Sequence, residues 1–276
     1  MREIILGFIQ GLTEFLPISS SGHLAIGQHV LPGAAGIEED VLLNILLHFA
    51  TLLVVVLYYR RDILIIVHDL LAGKADLHTP TTDPDAQLRR KMPGLILVGT
   101  IPTGLLGVGL KLSNQVETLF ASLPLVGISL LVTGVLLFFS DRITTDRPKN
   151  DISYVDALII GTVQGIAVLP GISRSGSTIS TSILRGIERP LAAKFSFLLS
   201  IPAILGAVVL EGKAIFHLSQ SPHLLAYAAG MLTAFAAGYL AIITLLRLVV
   251  KRQLRWFSFY CWVVGLGVIG YSMAGM

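Results

Sequence analysis

The sequence predicts an all-α polytopic membrane protein, and three observations lead to this class. Hydrophobic residues make up 54% of the 276 residues and charged residues only 13%, and the mean hydropathy is +0.79. Several apolar stretches approach or exceed the length of about 20 residues that a helix needs to cross a bilayer. A motif interrupted by proline and glycine occurs twice. Together these features predict a single integral membrane domain, residues 1–276, made of two inverted-topology repeats, about 1–140 and 154–276.

Composition also limits the partners. The formal net charge is +3, and the basic residues are localised instead of following one face, so we expect no nucleic-acid partner. The lipid bilayer is the expected surrounding. Cys261 is the single cysteine, which excludes an internal disulfide.

Eight apolar stretches follow one another along the chain. Two of them, residues 4–30 and 154–184, are interrupted in the middle by Pro17–Gly22 and Pro170–Gly176. Proline removes a backbone donor and glycine loosens a helix, so both stretches should break there. We predict two re-entrant helix hairpins from them. The remaining six predict transmembrane helices at residues 41–59, 92–110, 122–140, 191–210, 224–246 and 257–273.

Two connecting segments also carry a pattern. Residues 63–71 predict a short helix at the membrane interface. Residues 73–90 contain three aspartates and several prolines and glycines, and they predict a mobile cytoplasmic loop.

The distribution of basic residues predicts the orientation. With both hairpins re-entrant, each half holds three spans, and this odd number inverts the second repeat. One face then receives sixteen lysines and arginines, and the other receives only Arg2, Lys111 and Lys213. By the positive-inside rule the basic face is cytoplasmic, which places both termini outside. The first hairpin then enters from outside, so we expect a pocket that opens to the outer face.

The duplicated motif recurs at a spacing of 154 residues. The first copy, residues 10–23, reads QGLTEFLPISSSGH, and the second, residues 164–177, reads QGIAVLPGISRSGS. The paired positions that differ include Glu14 with Val168, Ser20 with Arg174 and His23 with Ser177. Inverted repeats should bring the two broken tips together near the midplane, where transporter-like folds bind their ligands.

The side chains at these tips suit a phosphate group. Gln10 and Glu14 are four residues apart and share a helix face, and an ionisable residue at membrane depth is a functional candidate by default. Arg174 offers a planar fork for bidentate phosphate binding. His23 lies one turn beyond Ser20, within reach of the same pocket. Serines at helix starts cap the helix or leave free amides for an anion, which concerns Ser19, Ser20, Ser21, Ser173 and Ser175.

Asn44 and His48 share a face of the second apolar segment. They predict either supporting groups for the site or hydrogen bonds between helices. We expect the latter.

The motifs resemble those of the undecaprenyl-diphosphate phosphatase, or bacitracin-resistance protein, family. The resemblance is carried by the pattern from Gln10 to Glu14, the following FLPISSSGH and the run PGISRSGST that ends at Thr178. It covers the whole chain. Where the family has glutamate or glutamine at the first position, this chain has Gln10, which leaves one carboxylate for a metal.

The resemblance implies hydrolysis of the terminal phosphate of undecaprenyl (C55 polyprenyl) diphosphate. The products are undecaprenyl phosphate, which is recycled for cell-wall synthesis, and inorganic phosphate, and the activity confers bacitracin resistance. It also implies a divalent cation, Mg²⁺ or Ca²⁺, held by Glu14. The implied catalytic residues are Glu14, Ser20, His23 and Arg174, and the implied substrate-binding residues are Gln10, Ser19, Ser21, Ser173, Ser175, Ser177 and Thr178.

Several alternatives stay open at the level of sequence. The attacking group is Ser20, His23 or a water activated by Glu14 or the metal. A polyprenyl-phosphate transporter or scramblase would use the same midplane pocket. Small residues that face the lipid allow a homodimer.

Overall fold

The computed structural model describes residues 1–30, 37–71, 84–113, 118–119, 122–143, 148–210 and 223–274. Within these residues the chain forms eleven α-helices, and the only β-type pairing is an isolated bridge between Lys149 and Ile187. In chain order the helices are α1 (Arg2–Phe15), α2 (Ser20–Val30), α3 (Ile37–Tyr58), α4 (Arg60–Leu71), α5 (Pro84–Leu112), α6 (Leu123–Arg142), α7 (Tyr154–Ile166), α8 (Arg174–Leu184), α9 (Arg189–Leu210), α10 (Leu224–Val250) and α11 (Arg255–Ala274).

Six of the described helices are long and apolar enough to cross a membrane, namely α3, α5, α6, α9, α10 and α11. They coincide with the six predicted spans. The predicted class, an all-α polytopic membrane protein, is therefore confirmed. Helix α4 covers the predicted interfacial helix, while its position at the interface stays a prediction.

One predicted loop is partly wrong. Helix α5 begins at Pro84, so the last part of the expected loop 73–90 is helical, whereas residues 73–83 lie outside the described residues. The local chemistry explains the early start. Proline has its φ angle preset for the first helical position, and Asp85 in the first turn interacts favourably with the helix dipole.

Both interrupted stretches break where proline and glycine predict it. Helix α1 ends at Phe15 before α2 starts at Ser20, and α7 ends at Ile166 before α8 starts at Arg174. These four helices have 11 to 14 residues. They measure about 17–21 Å at 1.5 Å per residue, which is less than the hydrocarbon thickness of about 30 Å. None of the four can cross alone, as re-entry requires. The membrane face that each pair enters from, and the inversion of the repeats, stay predictions.

The two halves of the chain pack against each other in matching pairs. Helix α1 packs on α10, α7 packs on α5, and α6 packs on α11. Gly7 and Gly161 hold the same position in the two copies of the repeat. Gly7 lies against the backbone of Gly230, and Gly161 lies against the backbone of Gly99. Small residues let helix backbones approach this closely in a membrane.

Gly161→Ala is expected to destabilise the fold. The added methyl group would overlap the Gly99 carbonyl, which is backbone and cannot rotate away. Overpacking of this kind costs about 1–3 kcal/mol. The measurement is the unfolding midpoint in detergent, with Gly206→Ala as the matched control, because a methyl group there meets open space. Equal midpoints for the two variants would contradict the proposed close packing of α7 on α5.

The core lies beneath the two helix breaks. Phe15, at the end of α1, packs edge-on against Phe197 of α9 with ring centroids 5.8 Å apart, and both rings are fully buried. The second break rests on α6. Gly171 has a φ of +91°, and a methyl group there would overlap the Val126 carbonyl. These contacts fix where both tips lie.

Candidate active site

The two helix starts at the tips are built in the same way. The Ser19 hydroxyl accepts a hydrogen bond from the Gly22 amide at 3.2 Å, and the Ser173 hydroxyl accepts one from the Gly176 amide at 3.1 Å. These four residues are two pairs of identical positions in the repeat. The identity of Ser19 and Ser173 is thus explained by helix capping. Their predicted contact with substrate stays a prediction.

The other serines and the threonine of the motifs also have structural partners. The Ser21 and Ser175 hydroxyls each lie 3.3 Å from the hydroxyl of the capping serine two residues earlier. Thr178 donates to the Arg174 carbonyl at 2.8 Å, and Ser177 is buried on α8. Binding of substrate by Ser21, Ser175, Ser177 and Thr178 remains a prediction.

The tips touch each other, as the repeat predicts. A methyl group on Gly22 would lie 3.1 Å from Cα of Gly171, and one on Gly176 would lie 3.0 Å from Cβ of Pro17. The two breaks are therefore packed together with little space between their backbones. Polar side chains from the two tips therefore meet at one carboxylate.

The Glu14 carboxylate accepts hydrogen bonds from both tips. Its Oε1 accepts a hydrogen bond from Nη2 of Arg174 at 2.6 Å. Its Oε2 accepts from the Ser20 hydroxyl at 2.6 Å and from Nε2 of Gln10 at 3.0 Å. The Glu14 side chain is 6% exposed and that of Arg174 is 15% exposed. Three helices, α1, α2 and α8, thus supply one buried network in which opposite charges are paired.

Ser20 and Arg174 occupy equivalent positions of the repeat. Each lies directly after the capping serine of its own helix. They approach Glu14 from the two sides and take one carboxylate oxygen each. Glu14, Ser20 and Arg174, at which the two copies differ, therefore supply the charges and the hydroxyl group of this network, whereas the identical residues Ser19 and Ser173 cap the helices.

Two polar atoms of the network have no hydrogen-bond partner among the described residues. These are Nη1 of Arg174 and Oε1 of Gln10, and both are buried. A buried polar group without a partner costs about 1–3 kcal/mol, so such atoms point to a ligand. The guanidinium Nη1 suits a phosphate oxygen, and the amide oxygen suits a cation.

The donor set fits a hard divalent cation with one carboxylate. Mg²⁺ and Ca²⁺ take oxygen ligands, and here the Glu14 carboxylate, Oε1 of Gln10 and the Ser20 hydroxyl lie together. In the part of the chain that the structure describes, no group of three or more histidine, cysteine, aspartate or glutamate side chains could hold a metal.

His48 also lies at this site, which is the less expected of the two alternatives for this residue. Its Nε2 is 3.8 Å from Oε2 of Glu14, and its Nδ1 is 2.8 Å from the Asn44 carbonyl on the same helix. The expectation that His48 forms a hydrogen bond between helices is therefore wrong. One turn of α3 separates Asn44 from His48, and this turn satisfies the ring nitrogen within the helix.

His23 is held apart from the network. Its Nδ1 is 2.7 Å from the Ser19 carbonyl, and its Nε2 is 2.8 Å from the Tyr260 hydroxyl on α11. The two rings stack with centroids 5.6 Å apart. Among the described hydrogen bonds none joins His23 directly to Ser20, Glu14 or Arg174, and its catalytic role stays a prediction. No sequence pattern pointed to Tyr260, since tyrosines are common near the ends of membrane helices.

Fold and site together define a class of protein. It is a multi-pass membrane protein in which two broken-helix pairs enclose a carboxylate, a guanidinium and a hydroxyl group. Such a site suits an anionic head group.

Comparison with known proteins places the chain within this class. The family model described as "Bacitracin resistance protein BacA" matches residues 3–267. The chain therefore belongs to the BacA family, which confirms the resemblance seen in its motifs.

Similar proteins match along nearly their whole length. A protein of Alkaliphilus metalliredigens (strain QYMF), named undecaprenyl-diphosphatase, is 45% identical over 276 residues, which cover 99% of this chain and 98% of that protein. One of Desulfosudis oleivorans with the same name is 46% identical over 271 residues, 96% of each chain. One of Methanosphaera stadtmanae, again with that name, is 40% identical over 278 residues, 99% of this chain and 98% of its own.

Proposed function

We propose that this protein is an undecaprenyl-diphosphatase. It hydrolyses the terminal phosphate of undecaprenyl diphosphate and releases undecaprenyl phosphate and inorganic phosphate. Support comes from membership in the BacA family and from the names of the full-length relatives. Recycling of the carrier lipid for cell-wall synthesis and resistance to bacitracin follow from this activity.

One observation carries the proposal at the level of chemistry. Arg174 is oriented by Glu14 through Nη2, and its Nη1 is buried with no hydrogen-bond partner among the described residues. A diphosphate oxygen would satisfy this nitrogen, and a fixed guanidinium stabilises the charge that develops on a transferring phosphoryl group. The apolar faces of the surrounding helices suit the polyprenyl chain.

Ser20 is the attacking group that the contacts favour. Its hydroxyl donates to Oε2 of Glu14 at 2.6 Å, within the range for a nucleophile and its general base. Oγ forms a bond to the terminal phosphorus while the bond from that phosphorus to the bridging oxygen breaks, and Glu14 takes the proton. Undecaprenyl phosphate leaves. Water then cleaves the phosphoserine and yields inorganic phosphate. Attack by His23 or by water remains the alternative that variants of Ser20 would reveal.

A divalent cation, Mg²⁺ or Ca²⁺, belongs to the proposal. Glu14 would hold it, together with Oε1 of Gln10. When bound, it would offset the negative charge of the diphosphate. Ser20, Arg174 and Glu14 then orient the head group and move the proton.

The proposal includes a location. The chain would lie in the bacterial cytoplasmic membrane with both termini outside and the site open to the outer face. The bias of basic residues to one side supports this orientation.

A Ser20→Cys variant in the otherwise cysteine-free Cys261→Ala background should react with an impermeant thiol reagent added outside. Labelling only from the cytoplasm would contradict it. A homodimer would leave this arrangement unchanged.

Release of inorganic phosphate tests the activity directly. Purified protein in detergent should release phosphate from undecaprenyl diphosphate, and excess EDTA should stop the reaction. A folded protein that binds the lipid but releases no phosphate would overturn the proposal. That outcome would favour a transporter or scramblase that uses the same pocket.

Tyr260→Phe tests the part played by His23. This change removes the hydroxyl that holds Nε2 of His23 and leaves the ring stack in place. If His23 acts in the reaction, we expect kcat to fall about 3–10-fold, the worth of one hydrogen bond of about 0.5–1.5 kcal/mol. Tyr271→Phe, an exposed tyrosine on the same helix, is the control. A kcat unchanged in Tyr260→Phe and in His23→Ala would make His23 a structural residue.

A further inference from the structure

We propose that His48 is a nitrogen ligand of the divalent cation at Glu14, and that it gives the site a preference for Mn²⁺ over Ca²⁺. The observation behind this is the juxtaposition of His48 Nε2 and Glu14 Oε2 at the meeting of α1 and α3, beside the Gln10 side chain, whose Oε1 has no hydrogen-bond partner among the described residues. The inference rests on the proposed function in that it uses the same carboxylate. It adds a ligand that belongs to neither motif of the duplicated sequence.

The tautomer of His48 follows from its backbone contact. Nδ1 lies 2.8 Å from the Asn44 carbonyl, which can only accept a hydrogen bond. Nδ1 therefore carries the hydrogen, and in the neutral ring Nε2 has a free lone pair. Histidines that bind metals usually donate their other nitrogen to a carbonyl or carboxylate in this way, which fixes the ring.

The lone pair of Nε2 faces negative charge. Oε2 of Glu14 is 3.8 Å away, too far for a direct hydrogen bond. The Gln10 side chain donates a hydrogen bond from its Nε2 to the same carboxylate oxygen. Its Oε1 is buried and has no donor among the described residues. The His48 nitrogen and the Gln10 amide thus both lie beside Oε2 of Glu14, and a cation bonded to Oε2 and to Nε2 of His48 would use the lone pairs of both. The separation of 3.8 Å between the oxygen and the nitrogen is compatible with one ion bonded to both at about 2.1–2.2 Å.

The mixed donor set predicts which ion binds best. Ca²⁺ takes oxygen ligands, whereas Mn²⁺ suits oxygen ligands too but begins the series of first-row transition ions, whose affinity for nitrogen donors exceeds that of Ca²⁺. The exposed fraction of the His48 side chain is 34%, so an ion can reach the nitrogen from the open side of the site. His48 is a positioning residue for the reaction, since it acts through the ion.

Direct ion binding tests the proposal without any turnover. Mn²⁺ binding to the purified protein in detergent is measured by electron paramagnetic resonance of the free ion, and Ca²⁺ binding is measured by isothermal titration calorimetry. His48→Gln keeps a polar side chain but replaces the nitrogen donor by an amide oxygen. We expect the Kd for Mn²⁺ to rise at least about 10-fold and the Kd for Ca²⁺ to change less than about 3-fold.

Two further variants separate the outcomes. His68→Gln, at an exposed histidine on α4, should leave both Kd values unchanged. Glu14→Gln should weaken binding of both ions. An unchanged Mn²⁺ Kd in His48→Gln would overturn the proposal and leave His48 as an ion-pair partner of Glu14. Absence of ion binding in the unmodified protein would overturn it too, while phosphate release in the assay above would keep the proposed activity in place.

Discussion

Glu14→Gln is expected to abolish phosphate release, with kcat lowered about 10³-fold or more, the scale of a lost general base. The carboxylate holds Arg174 on one oxygen and the Ser20 hydroxyl on the other, both at 2.6 Å. Glutamine keeps the shape but cannot take the Ser20 proton and cannot neutralise the guanidinium. The measurement is phosphate release under saturating lipid and cation. Glu3→Gln on the same helix α1 is the matched control and should keep full activity.

The same variant should also lose stability. Removing one partner of a buried ion pair costs about 3–5 kcal/mol because the other charge remains without compensation. The double variant Glu14→Gln, Arg174→Gln should recover part of this loss, since no charge is left unpaired, but none of the activity. If Glu14→Gln retained the wild-type kcat, Glu14 would have no role in the mechanism. A double variant no more stable than the single one would show that the two charges are not coupled.

Arg174→Lys carries the second large effect. The substitution keeps the positive charge but removes the planar fork that can bind Glu14 and a phosphate oxygen at once. We expect kcat/KM to fall about 10²-fold or more, with a smaller loss of stability than in Arg174→Ala. The measurement is the initial rate of phosphate release as a function of lipid concentration.

A matched arginine outside the site provides the comparison for Arg174→Lys. Arg142 lies over the Phe138 ring at 4.1 Å, at the end of α6. Arg142→Lys should therefore leave kcat/KM within about 2-fold, because a surface contact of this kind is worth only about 0.5–1 kcal/mol. If lysine at position 174 supported the wild-type rate, a single positive charge would be enough and the fork would have no part in the reaction.

The spans and breaks were predictable because each depends on local chemistry. A long apolar run without charge has few stable states other than a membrane helix, so six spans could be predicted. Pro17, five residues before Gly22, and Pro170, directly before Gly171, each remove a backbone donor and so mark where the helix breaks. The start of α5 was missed because the signal of Pro84 and Asp85 was outweighed by the glycine, proline and aspartates in the sequence before it.

Only the site residues that belong to the duplicated motif could be predicted from the sequence. The repeat spacing of 154 residues predicted that Glu14, Ser20 and Arg174 lie together, and their hydrogen bonds agree with this prediction. His48 and Tyr260 lie outside the duplicated motif. Their places depend on how α3 and α11 rotate against α1 and α2, which follows from packing over many residues and has no short signature in the sequence.

The equivalence of Ser20 and Arg174 has a consequence for the origin of such a chain. Two identical halves related by a two-fold axis would carry the same residue at both positions. They would present either two serines without a positive charge or two guanidinium groups. Joining the halves in one polypeptide would free each copy to mutate alone, so that a symmetric arrangement could hold an asymmetric set of reactive groups. A protein assembled from two first halves would have paired carboxylates and hydroxyls at its centre and, without an arginine there, nothing of its own to balance a diphosphate.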